Sequence, residues 1–179
     1  LAAGIPGEPA GLVHLARRYG RLPLARTLAP AIRYAEEGVE VTRGMELGLK
    51  FRVGAVRDSP AFAAIYLPGG KALVAGDVVR FPDLARTLRR LAEDCRDGYY
   101  RGPVARQLVD GVRAAGGIWT LDDLSRYAVL ERQPIRSEYR GMTVVSAPPP
   151  SAGGVALSNV FHILSGYQLG ALVSVDRKH

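Results

Sequence analysis

Ser151 stands beside Gly153 and Gly154 in the run Ala147-Pro-Pro-Pro-Ser-Ala-Gly-Gly. A serine next to two glycines could serve as a nucleophile, or as part of a nest of backbone donors for an oxyanion. The first role needs a base to take the hydroxyl proton. The segment does not follow the G-x-S-x-G turn that exposes a nucleophilic serine, and no histidine or aspartate partner is readable near it. Asp122-Asp123 offer a carboxylate pair, but they follow Thr120 at capping spacing, which accounts for them without catalysis. Lys71 follows Gly69-Gly70 without the spacing or the strand–loop–helix context of a phosphate loop. Cys95, the only cysteine, can form neither an intrachain disulfide nor a zinc site, and as a nucleophile it would need a neighbouring base; it reads as a half-buried helical residue. His14 and His162 lie on helical patterns among apolar residues and read as packed or hydrogen-bonded, and the terminal His179 reads as frayed. These residues assign no catalytic group, metal or cofactor to the chain. Ser151, Gly153 and Gly154 stand as the candidate edge of a substrate pocket, on a loop whose first task is to turn a strand into a helix.

The elements around that loop follow from periodicity and punctuation. A helix begins at Pro9, carries Leu12, Leu15 and Ala16 on one face and stops near Gly20. The next, from Leu22 to Gly38, keeps Leu24, Leu28, Ile32 and Ala35 in phase, with a kink or a division into two short helices expected at Pro30. Val39 to Val41 reads as a short connector. Thr42 caps a third helix to about Val56, and Ser59-Pro60 opens a short one to Ala64. Leu67-Pro-Gly-Gly-Lys is a turn, and Leu73 to Val79 is extended. The Pro82 helix, with Leu84, Leu88 and Leu91 on its apolar face, is broken by Gly98-Tyr-Tyr-Arg-Gly. A further helix spans Pro103 to Ala115, and Thr120 caps a short one. From Ala128 the pattern changes: Ala128 to Ile135 and Tyr139 to Ser146 read as strands, and Val155 to Leu164 as a last helix. Trp119 and the tyrosines at 99, 100, 127 and 139 read as core or interface aromatics. Two strands do not make an independent sheet, so they are expected to belong to a larger one.

Composition bounds the class. The 179 residues are 47% hydrophobic and 23% charged, which is a globular balance with room for one real core. No apolar run is long enough to span a membrane, and the opening Leu1-Ala-Ala-Gly carries neither Met nor a signal segment; it reads as processed, truncated or partly recorded. The net charge of +7 comes almost wholly from arginine. Those arginines are spread singly along helices, with only Arg17-Arg18 and Arg89-Arg90 adjacent and no aromatic platform between them, so nucleic-acid binding is not expected. A stand-alone basic helical binding module is the alternative that this charge keeps open, and an absent acidic partner subunit is another source for the excess.

Several segments, taken together and in order, resemble the large subunit of the γ-glutamyltransferase (glutathione hydrolase) family. Gly4-Ile-Pro-Gly-Glu-Pro-Ala-Gly-Leu resembles its G-x-P-G-x-x-A-G segment, and Leu28-Ala-Pro-Ala-Ile-Arg-Tyr-Ala-Glu-Glu-Gly its A-P-A-I-x-x-A-x-x-G helix. Gly76-Asp with Pro82-Asp-Leu-Ala-Arg-Thr-Leu, Tyr99-Tyr-Arg-Gly, and Gly116-Gly-Ile-Trp-Thr-Leu-Asp-Asp-Leu with Tyr127 are similar to three further family patterns. The run Tyr139-Arg-Gly-Met-Thr-Val-Val-Ser into the Pro148 to Gly154 loop, then His162-Ile-Leu-Ser-Gly-Tyr-Gln-Leu, completes the likeness over nearly the whole chain.

The resemblance implies an α+β fold: part of an αββα N-terminal nucleophile hydrolase sandwich, this portion mostly helical with about two strands. Residues 1–127 would form the helical layer of the large subunit. Residues 128–179 would add two strands, the Pro-rich corner loop and a helix to the same larger domain. It further implies a zymogen that cleaves itself, with a threonine at the new N-terminus of a small catalytic subunit as nucleophile and its α-amino group as base. The donor would be glutathione or another γ-glutamyl amide, and water, an amino acid or a peptide would accept the acyl group. No catalytic residue of that scheme matches a position in this chain, which looks like the middle to C-terminal part of a large subunit and is expected to be inactive alone. Related cephalosporin acylases and amidohydrolases share these segments. Family members in bacteria are exported to the periplasm or secreted.

Overall fold

The computed structural model describes residues 3–172, so His179 lies outside the described residues. Residues 1–129 and 130–179 form two compact units. Among the described residues the first holds eight α-helices: α1 (Glu8–Arg18), α2 (Leu24–Glu37), α3 (Arg43–Arg57), α4 (Pro60–Tyr66), α5 (Pro82–Asp94), α6 (Asp97–Tyr100), α7 (Gly102–Ala114) and α8 (Leu121–Arg126). A two-residue antiparallel ladder joins β1 (Val39–Glu40) to β2 (Val78–Val79), so the short connector after α2 pairs with the end of the extended stretch. Proline sits in the first turn of α1, α4, α5 and α7, where its missing N–H costs nothing. Thr42 caps α3, its Oγ1 accepting from the Met45 N–H at 3.3 Å. Gly38 ends α2 at φ 101°, and a Cβ there would fall 2.5 Å from Val78.

Three apolar clusters hold this unit. Val13, Leu28 and Leu91 join α1, α2 and α5; Val41, Leu49, Leu73 and Val79 lie under α3; Ala10, Tyr100, Ala105, Val109, Trp119 and Leu124 join α1 to α6, α7 and α8. Burying each of Leu28, Leu91 and Leu124 contributes about 1.5–3 kcal/mol before ordering costs. The α2–α5 pair is further tied by Phe81 N–H to the Ala35 carbonyl at 2.8 Å and by the Arg89–Glu36 ion pair.

Four expectations are corrected. α2 is a single helix through Pro30, not two short ones: the residue is exposed, so the carbonyl it leaves unpaired faces water, while Leu28, Ile32 and Ala35 hold the helix on its buried side. α1 turns Ala10 and Val13 inward, and Leu12 and Leu15 are exposed. The inner stripe is tied by the Ala10 N–H, which donates to the buried Tyr100 hydroxyl at 3.2 Å. On α5 the buried place belongs to Ala85, and Leu84 is half exposed. Cys95 is half-buried but not helical; it stands just past α5 at φ 52°.

The second unit is a hairpin and a helix: β3 (Ile135–Tyr139), β4 (Met142–Ser146) and α9 (Ala152–Ser165). Both predicted strands are displaced. Ala128 to Pro134 is irregular, and the strand starts only after Pro134. Arg140 and Gly141, expected inside the second strand, are the two-residue turn, with φ 49° and 79°. Positive φ at both central residues is the turn that matches strand twist, and it fixes the register Tyr139↔Met142 through Ile135↔Ser146. Tyr139 stacks on Phe161 with ring centroids 4.6 Å apart, which seats α9 on one face of the hairpin. α9 begins at Ala152, three residues before the expected start, and so takes in both glycines.

Candidate functional site

The loop between β4 and α9 brings Ser151, Gly153 and Gly154 together. Ser146 ends the strand, Pro149-Pro150 joins through a cis peptide, and the Ser151 N–H donates to the Pro148 carbonyl at 3.1 Å. Ser151 is the N-cap residue of α9, yet its hydroxyl accepts nothing from the first turn. The leading N–H groups of the helix are therefore open donors beside an exposed hydroxyl. The two glycines differ. Gly153 is exposed, and the nearest atom to a Cβ built on it is Ser151 Oγ at 4.0 Å. Gly154 is buried, and its Cβ would fall 2.4 Å from the Ala147 carbonyl oxygen and 3.0 Å from Ser146 Oγ. Its missing side chain is what lets the helix start against the end of β4.

Within this unit, the described residues place no base beside the Ser151 hydroxyl. His162, on the same helix, is eleven residues on, roughly 16 Å along the axis. No acidic residue stands between Gly141 and Gly166. A hydroxyl without a base remains a weak nucleophile.

The other chemically suggestive residues are committed to structure. Asp123 completes a capping box: its Oδ2 accepts from the Thr120 N–H at 2.8 Å and from Thr120 Oγ1 at 2.7 Å, while its own N–H donates to Thr120 Oγ1. Those bonds, the hydroxyl's first, hold its carboxyl below the usual range. Asp122 pairs with Arg126. Lys71 is exposed and precedes no helix that could form a phosphate loop. Among the described residues no group of His, Cys, Asp and Glu could hold a metal ion.

A knot of polar ties missed by periodicity lies around Tyr100, which is buried between α1, α6 and α8. Its hydroxyl accepts from the Ala10 N–H at 3.2 Å, acting as the N-terminal cap that Gly7 cannot supply, and donates to the Pro6 carbonyl at 2.5 Å. Burial raises its pKa above the ordinary 10.0. Tyr127 stacks on it at 5.5 Å with planes 5° apart. Arg96 donates to the carbonyls of Ser125 and Tyr127, both at 2.6 Å, and its guanidinium lies over the Tyr100 ring. A side chain on Gly7 would meet the Tyr127 hydroxyl at 2.2 Å, and one on Gly98 the Arg90 carbonyl at 2.0 Å. Trp119 Nε1 reaches the Ala3 carbonyl at 3.0 Å, and Arg113 Nε the Trp119 carbonyl at 2.8 Å. The only advance signal for Arg96 was its place just before the Gly98-Tyr-Tyr break.

Comparison with known proteins gives one family. The family model described as Gamma-glutamyltranspeptidase matches residues 1–179. The glutathione hydrolase proenzyme of Arthroderma benhamiae is 39% identical over 171 residues, which are 94% of this chain and 29% of that protein. The acylase ACY 1 proenzyme of Pseudomonas sp. (strain SE83) is 38% identical over 96% of this chain and 31% of its own length. In structure, the gamma-glutamyltranspeptidase of Helicobacter pylori superposes with a TM-score of 0.93 at 31% identity, covering 99% of this chain and 51% of that one. The chain thus spans about 30% of the length of the curated relatives it matches.

Proposed function

Because the chain belongs to the gamma-glutamyltranspeptidase family, we propose that it is part of the large subunit of an enzyme that hydrolyses or transfers γ-glutamyl groups. Its fold is the mostly helical portion of an N-terminal nucleophile hydrolase. The observation that carries the proposal is the likeness in both sequence and structure to glutathione hydrolases over almost every residue. In this reading residues 1–127 form a helical layer, and residues 128–179 add strands, the corner loop and α9 to the sandwich. The precursor cleaves itself, and the small subunit begins with threonine. That hydroxyl attacks the γ-amide carbonyl of glutathione or a similar donor while the threonine's own α-amino group takes the proton. The tetrahedral oxyanion collapses, the amine leaves with the proton, and an acyl-enzyme remains. Water, an amino acid or a peptide then takes the γ-glutamyl group. Ser151, Gly153 and Gly154 form one edge of the pocket and supply donors, not the nucleophile. No helix among the described residues is long and apolar enough to cross a membrane. By likeness to exported bacterial members of the family, the enzyme would act in the periplasm or medium.

The test uses the full precursor. Its denatured mass spectrum should resolve two chains, one beginning with threonine, and the processed sample should release amine from a γ-glutamyl anilide. Replacing that threonine by alanine should abolish turnover. An uncleaved, inert precursor overturns the reading. The near-equal identity to an acylase proenzyme supports a second reading, a cephalosporin acylase or related amidohydrolase on the same scaffold. A larger kcat/KM for a cephalosporin acyl amide than for the γ-glutamyl anilide would select it.

A further inference from the structure

At about 100° per residue, the outward side of α3 gathers Gly44, Leu47, Gly48, Phe51, Gly54 and Ala55 within an arc of about 120°. All six are exposed, and none has a polar side-chain atom. Phe51 is 85% exposed and Leu47 66%, and no large apolar side chain among the described residues is more exposed than Phe51. The opposite side, with Met45, Leu49 and Val56, packs into the cluster under the helix, so α3 is already held without its outer stripe. A Cβ on Gly48 or Gly54 would meet nothing within 4 Å, so packing demands neither glycine. Both keep the stripe low around its two large side chains. Basic residues border it on each side: Arg43, Lys50 and Arg57 along one edge, Arg52 along the other. The Arg52 guanidinium lies 5.9 Å from the centre of the Phe51 ring. Lys50 pairs with Glu46 at 2.6 Å, and Glu46 also accepts from the Ala75 N–H at 3.1 Å. Among the described residues Arg43, Arg52 and Arg57 enter no ion pair. Asp58 at the C-cap is the remaining acid of this helix. The following helix, α4, has no charged residue and leaves Phe62 56% exposed.

We propose that the outer side of α3 seats the protein on an anionic lipid surface. The helix would lie in the plane of the surface, with Leu47 and Phe51 entering the boundary between headgroups and acyl chains. Arg43, Lys50, Arg52 and Arg57 would stay at the level of the lipid phosphates, their stems along the apolar stripe. Charge and shape select this occupant. The stripe has no side-chain donor or acceptor, so it gives a protein partner no register. Two copies meeting through it would bring their basic borders together, which is repulsive. An anionic bilayer needs no register and neutralises both borders at once. The contact is peripheral, and it is independent of which acyl group the enzyme transfers.

The experiment floats the full processed protein with vesicles of equal parts phosphatidylglycerol and phosphatidylcholine, and with vesicles of phosphatidylcholine alone. The protein should rise with the first and stay behind with the second, and about 1 M salt should weaken the association. Phe51→Ser should lower the partition coefficient about tenfold, and Arg52→Gln about fivefold. Both residues are exposed, so γ-glutamyl turnover in solution should be unchanged. Thiol labelling of Phe51→Cys, located at residue 51 by mass spectrometry, should be fast in buffer and slowed by the anionic vesicles. No flotation, equal flotation with the neutral vesicles, or flotation indifferent to Phe51→Ser overturns the proposal. So does a residue 51 thiol that labels only in denaturant, which would show the face covered by the precursor itself. A dimer that Phe51→Ser dissolves would overturn it in favour of a second copy.

Discussion

Adding one methyl group at Gly154 and one at Gly153 should have opposite effects, although the residues are neighbours on the same turn. A Cβ on Gly154 falls 2.4 Å from the Ala147 carbonyl oxygen, and reaching the ordinary contact distance of 3.4 Å takes about 1.0 Å of movement. The obstacle is backbone, so it cannot rotate away, and Ser146 Oγ and Cβ at 3.0 and 3.1 Å close the other side. Overpacking of this kind costs about 1–3 kcal/mol. Gly153 meets nothing nearer than 4.0 Å, and alanine there gains about 0.5–1 kcal/mol by restricting the unfolded chain. The readout is hydrogen exchange of the α9 amides in the full precursor, which reports opening of this unit rather than of the whole enzyme. Gly154→Ala should speed exchange by about 5- to 160-fold, and Gly153→Ala should slow it. Ser151 and Gly153 ride on the displaced turn, so Gly154→Ala should also lower kcat/KM of the processed enzyme about tenfold per folded molecule, because small misplacements of positioning groups are expensive. Wild-type exchange rates in Gly154→Ala would refute the packing argument. Altered exchange with unaltered kinetics would remove the loop from the pocket.

Tyr100→Phe keeps the stack on Tyr127 but strips the hydroxyl from the Ala10 N–H and the Pro6 carbonyl, so the first turn of α1 should lose about 2–4 kcal/mol. Unchanged exchange of the α1 amides would show that water replaces the hydroxyl without loss. Asp123 ionises more readily in the fold than in the unfolded chain, so its contribution is present above the ordinary carboxylate range. That contribution drains away as pH falls through that range toward the lowered folded value. Asp123→Asn should therefore flatten the acid limb of the stability profile between about pH 5 and 3; parallel limbs for variant and wild type would count against the capping box as the cause.

What the sequence showed was whatever a few neighbouring residues decide. Thr42 and Thr120 cap because their hydroxyls reach N–H groups three residues on, and Gly38 ends α2 because the chain must turn there. The inward face of α1 was not legible, because both of its stripes are apolar and the tie that marks the inner one, from the Ala10 N–H to the Tyr100 hydroxyl, comes from ninety residues away. Arg140-Gly141 hid as a turn because arginine seldom takes positive φ; the hairpin ladder imposes it. The candidate site divides the same way. Ser151, Gly153 and Gly154 were found by local composition, yet which glycine is indispensable depends on where β4 ends, a contact that no local pattern records.

Several residues of this chain are ones that packing leaves no choice about. Gly7 must clear the Tyr127 hydroxyl, Gly98 the Arg90 carbonyl, Gly117 the Val112 side chain and Gly154 the Ala147 carbonyl; Tyr100 must reach two backbone groups at once. None of these demands refers to a substrate. Two proenzymes of different name, a glutathione hydrolase and an acylase, match this chain at 39% and 38%. On the proposed reading, discrimination between donors belongs to the polypeptide that carries the nucleophile. On the same reading, these residues would fix where that polypeptide is held, and the turn at Ser151 would be where the two tasks meet.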